Sequence, residues 1–92
     1  MNKDALTAKL LDLAEGRETP ETWWSWWDEH EMELETLLGR GEFLKLKPRR
    51  HGFQWVPVFG SQKGAIAILE KSGTAFEASN LYQERYLAEL DA

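Results

Sequence analysis

Phe43 to Phe59 reads FLKLKPRRHGFQWVPVF, and the period of this stretch decides the fold class. Leu44 and Leu46 alternate with Lys45 and Lys47, the two-residue period of a half-buried strand. Pro48-Arg49-Arg50-His51-Gly52 is a turn-forming break. Phe53 to Phe59 alternates again. Pro57 has no N–H to give a ladder, which puts this segment at a sheet edge or a bulge. The pair is predicted to be a β-hairpin with a basic tip.

Upstream, Thr19 to Leu38 predicts a helix with both ends marked. Thr19 can cap, Pro20 suits the first helical position, and Gly39 can take the left-handed turn that ends it. At about 100° per residue, Trp23, Trp26, Trp27, His30, Leu34, Leu37 and Leu38 share one arc, with Trp24 just beyond it. Asp28, Glu29, Met32 and Glu35 lie opposite. Four of the chain's five tryptophans crowd this helix. Each buries on the order of 200 Å², so Trp24 or Trp26 is expected to stay partly exposed.

Leu6, Leu10 and Leu13 predict a first helix over residues 3–15, stopped by Gly16, and the short link to Thr19 predicts an αα-hairpin. Gly60-Ser61-Gln62-Lys63-Gly64 reads as a second break. Residues 62–72 suit a helix or a short strand, with helix preferred. Ser79 is placed to cap a last helix, on which Tyr82, Tyr86 and Leu90 align. The expected fold class is therefore α+β: an N-terminal helical hairpin, a β-hairpin or small antiparallel sheet, and one or two C-terminal helices. The expected core is Leu6, Leu10, Leu13, Trp23, Trp27, Leu34, Leu38, Leu44, Leu46, Val56, Ile66, Leu69, Phe76, Tyr82 and Tyr86.

The 92 residues suit one domain, 1–92. No apolar run reaches the roughly 18 residues of a membrane span, and no signal segment is evident. The chain has no cysteine, so disulfides and thiolate chemistry are excluded, and a cytoplasmic location is expected. The net charge of −5 is unevenly spread. Residues 1–42 carry eleven acids and four bases, residues 43–69 five bases and no acid, and residues 70–92 five acids and two bases. The basic middle either packs beside the acidic helix or forms a surface of its own.

Catalytic signatures are missing. His30-Glu31-Met32-Glu33-Leu34 begins like a zinc-protease helix, but position 34 lacks the second imidazole that the metal needs. Ser61 has no glycine two places before it and Lys63 lacks phosphate-loop spacing. If a helix started at Gly60–Gly64, that loop could hold an anion; a plain turn is the simpler reading. His30 on the apolar arc is read as a packed histidine bonded to a backbone carbonyl or a carboxylate. Neither an enzyme, a metal nor a cofactor is expected.

Two binding readings remain. The first is a non-enzymatic protein-binding module, an inhibitor or immunity-type protein that neutralises a basic partner such as a toxin or nuclease. Its contact residues would be Trp24, Trp26, Asp28, Glu29, Met32, Glu33 and Glu35, a face with no lysine or arginine on its own helix. Unscreened like charges disfavour a helix, so the face asks for a reason; solubility is one, a cationic partner another. The second is single-stranded nucleic-acid binding through Lys45, Lys47, Arg49, Arg50, Phe53 and Trp55, where phosphate attraction and base stacking would combine. A pI of about 5.0 argues against it, and Phe53 and Trp55 could equally be core.

Overall fold

Local capping chemistry delimits the first two elements. In the computed structural model, which describes residues 1–92, α1 spans Lys3–Ala14 and α2 spans Pro20–Leu38. The Asn2 side chain accepts the Ala5 N–H at 2.8 Å. Thr19 and Thr22 cap α2 reciprocally, each backbone N–H donating to the other's hydroxyl, which satisfies two otherwise orphan donors. Gly16 at φ +85° and Gly39 at φ +80° end the two helices in a conformation that only glycine adopts cheaply.

The rest of the chain is helical as well. Helices α3 (Arg40–Leu46), α4 (Trp55–Lys71) and α5 (Leu81–Asp91) follow, and no strand forms. The expected α+β class and its β-hairpin are thus overturned: the protein is an all-helical domain of five helices. In 43–47, the buried pair is Phe43 and Leu46, three residues apart, while Leu44 is 41% exposed. Five residues carry too little pattern to separate a period of two from one of 3.6. In 53–59, Pro57 lies in the first turn of α4, where its missing N–H would have no helical partner anyway. The Gly60–Gly64 break is absent too. Both glycines are inside α4, whose buried positions Val58, Ser61, Gln62, Ala65 and Leu69 run on a helical period. The preference for helix over 62–72 was correct, but that helix starts seven residues earlier.

Helix α4 is the hub and packs against all four other helices. The main neighbour of α1 is α4 rather than α2, so consecutive helices do not make the tight hairpin anticipated. Gly64 allows the closest crossing: a Cβ there would run into the Lys45 carbonyl of α3. Nearby, the Ser61 hydroxyl donates to the Leu46 carbonyl at 2.7 Å. Thirteen apolar residues form one core. Leu6, Leu10, Leu13, Trp23, Trp27, Leu34, Leu46, Leu69 and Tyr82 are in it as expected, and Ala14, Phe43, Val58 and Ala65 complete it. Leu38, Val56, Ile66, Phe76 and Tyr86 are only half-buried.

Three buried or half-buried polar contacts join distant parts of the chain. Glu18 pairs with Lys9 at 2.7 Å and accepts the Thr22 hydroxyl, while its N–H donates to the Tyr82 hydroxyl. The Gln62 amide donates to the carbonyls of Ala14 and Ser79, which fastens the end of α1 and the approach to α5 onto α4. The Glu89 carboxylate of α5 accepts the N–H groups of Gln54 and Trp55 at 2.8 and 2.7 Å. It therefore caps α4 with a charge of the right sign for a helix N-terminus.

Candidate anion-binding groove

Residues 47–54 form an irregular loop between α3 and α4, held at one end by buried Pro48 and at the other by the Glu89 cap. A basic stretch pinned at both ends presents its long side chains outward. With α3 and the first turns of α4 it encloses the largest cavity of the molecule, about 510 Å³. Lys45, Lys47, Arg49, Arg50 and His51 line it, with Leu44, Val56, Pro57, Gly60 and Ser61 between them, and no carboxylate reaches it. Lys47 pairs with Glu31 of α2 at 3.2 Å. Lys45, Arg49 and Arg50 have no ion pair. So the basic middle of the chain is neutralised by the acidic helix at one residue only. Four like charges beside a low-dielectric wall concentrate positive potential there.

The structure gathers Lys45, Lys47, Arg49 and Arg50 but separates them from the two aromatics grouped with them in sequence. Trp55 stacks on Tyr82 at 5.8 Å between centroids, and Phe53 meets the edge of Tyr86 at 6.3 Å. Trp55 is therefore half-buried against α5 rather than open to the groove. Phe53 keeps one side toward a smaller cleft that adjoins the groove. Trp24, assigned to the acidic face, instead borders the smaller cleft beside the groove. The Arg50 guanidinium carbon lies 5.1 Å from its ring centre, a cation–π contact. Trp24 shares a helical stripe with Trp27, Asp28 and Glu31, and that stripe meets the loop. Gln54 was missed as a site residue, and His51 was counted in the basic run but not among the contact residues. Only the docking of the loop onto α2 reveals them, although the run of bases without acids was the visible signal.

The remaining residues of the acidic face are dispersed in role. Trp26 is half-buried, stacked on Trp23 at 5.3 Å and on His30 at 4.8 Å, with the Lys9 ammonium 5.4 Å above it. His30 Nδ1 meets the Trp26 carbonyl at 2.9 Å, a packing role. Glu33 contacts the Met1 ammonium at 2.9 Å, and the hydrogen bond from that ammonium holds its carboxyl below the ordinary carboxylate range. Glu35 pairs with Arg40 at 3.1 Å. Asp28 and Glu29 are exposed and unpaired, and Met32 beside them is 88% exposed.

The groove holds no nucleophile–base pair. The Ser61 hydroxyl is directed at a carbonyl, and His51 Nδ1 accepts the Phe53 N–H at 3.1 Å. The Gly60–Gly64 segment, weighed as an anion cradle at a helix start, is helix interior, and the true start of α4 is occupied by Glu89. No helix is long and apolar enough to cross a membrane. Compared with protein-family models, curated proteins and solved structures, the chain matches none of them.

Proposed function

We propose that this protein is a non-enzymatic binding module that receives a phosphate-bearing anionic partner in the groove between α3, α4 and the 47–54 loop. One observation carries the reading: the largest cavity is lined by four cationic side chains and no carboxylate, and three of those cations have no ion pair. In a chain of net charge −5, a patch of unpaired positive charge is a single-sign field that suits a specific anion. A cytoplasmic setting fits a chain without cysteine.

Fluorescence anisotropy with a labelled single-stranded oligonucleotide at low salt tests this. Three or four neutralised phosphates predict a log–log salt slope of about −2 to −3 for a single strand. Replacing Arg49 and Arg50 together by glutamate should abolish binding. An oligonucleotide that is not retained by wild-type protein at low salt would eliminate the groove as a site.

A second reading keeps the acidic side of α2 as a docking face for a cationic protein, a toxin or nuclease of the kind an immunity protein neutralises. It is supported by Met32, the most exposed large apolar side chain, between the unpaired carboxylates Asp28 and Glu29. Such a residue is a natural anchor inside a charged rim. The measurable quantity is the association rate with that cationic protein.

A further inference from the structure

Beside the groove lies the smaller cleft of about 180 Å³, and the two share Arg50, His51 and Pro57. Three aromatic rings border the cleft: Trp24, His51 and Phe53. The rings of His51 and Phe53 are stacked at 5.6 Å with 26° between their planes. Gln54 is exposed at the same cleft, and its side-chain amide offers both a hydrogen-bond donor and an acceptor to a base edge. No carboxylate lines either space. A third cleft also borders Trp24 and Arg50, and there Asp28 and Glu31 stand among Lys47, Arg49 and Arg50.

Taking the groove as an anion site, on which this rests, we infer that its ligand is a single-stranded nucleic acid that places one base in the cleft of Trp24, His51 and Phe53. The phosphates follow Lys45, Arg49 and Arg50. The ring cleft carries no carboxylate and the third cleft carries two, so a strand leaving the groove is favoured toward the rings. The Arg50 guanidinium already sits over the Trp24 ring, 5.1 Å from its centre. A guanidinium stacks on a nucleobase as readily as on an indole, so an incoming base extends or replaces that stack without remodelling the loop. A duplex hides its base faces and has nothing to offer the rings. An acidic peptide would satisfy the cations and leave the rings unused.

The test compares an oligothymidylate of about twelve nucleotides with an abasic strand of equal length and with polyglutamate, by anisotropy at low salt. The base-bearing strand should bind at least about fivefold tighter than the abasic one, the lower end of one stacked base. Trp24→Ala should erase that ratio. Because Trp24 is half-buried, its helix content is checked by circular dichroism, and His51→Ala, at an exposed site, is measured in parallel. Equal affinity for the abasic strand, equal affinity for polyglutamate, or a ratio untouched in both folded variants would overturn the base-stacking mode while the groove stands. Failure of all three probes to bind would remove the groove itself.

Discussion

Tyr82 shows how one side chain links stability to pH. It is fully buried, and its hydroxyl accepts the Glu18 N–H at 2.9 Å. Burial pushes its pKa up to about 12, against the opposing pull of that hydrogen bond. An unfolded tyrosine ionises near 10. Folded Tyr82 keeps its proton where the unfolded residue loses it. Its contribution is therefore complete below about pH 10 and disappears as pH rises toward about 12. Denaturant unfolding of Tyr82→Phe should show a loss of about 1–2 kcal/mol at pH 7, from the missing hydrogen bond. Its stability should then fall less steeply than wild type over that alkaline window. Parallel alkaline declines would mean that Tyr82 is not the titrating group.

Among the elements, α4 carries the clearest contrast, because two of its glycines occupy opposite environments. Gly60 is exposed with no atom near the position of a Cβ, whereas Gly64 lies against the Lys45 backbone. Alanine at position 60 should stabilise the protein by about 0.5–1 kcal/mol through helix propensity alone. Alanine at position 64 gains the same propensity but forces α3 away from α4, which costs about 1–3 kcal/mol in overpacking. Melting temperatures should therefore move in opposite directions. A rise in both would show that the crossing of α3 and α4 is looser than described.

Across the whole molecule, the groove gathers the unpaired cations and α2 carries the unpaired carboxylates Asp28 and Glu29, with Asp28 at a cleft that Arg49 and Arg50 also line. Charges this exposed act mainly on encounter rates rather than on bound-state affinity. If α2 docks a cationic protein, reversing Asp28 and Glu29 to lysine should slow association by about tenfold at low ionic strength. The dissociation rate should change little and the fold should be intact. An association rate indifferent to both reversals would leave the groove as the molecule's one working surface.

Helices α1 and α2 were legible in the residues themselves, because their boundaries rest on contacts within a few positions: Asn2 with Ala5, Thr19 with Thr22, and glycines at 16 and 39. The regular spacing of Leu6, Leu10 and Leu13, and of Trp23, Trp27 and Leu34, named the core for the same reason. The run of bases between Lys45 and Lys63 was equally plain. What lay beyond local chemistry was the state of 43–59. Its short alternation fits either backbone, and the choice falls to partners far along the chain. Gly64 admits the Lys45 backbone, Glu89 caps Gln54 and Trp55, and Leu46 fills the core beside Val58. The groove arises in the same way. A loop docked on α2 brings Trp24 to Arg50, a meeting set by packing between elements, which no pattern within either segment encodes.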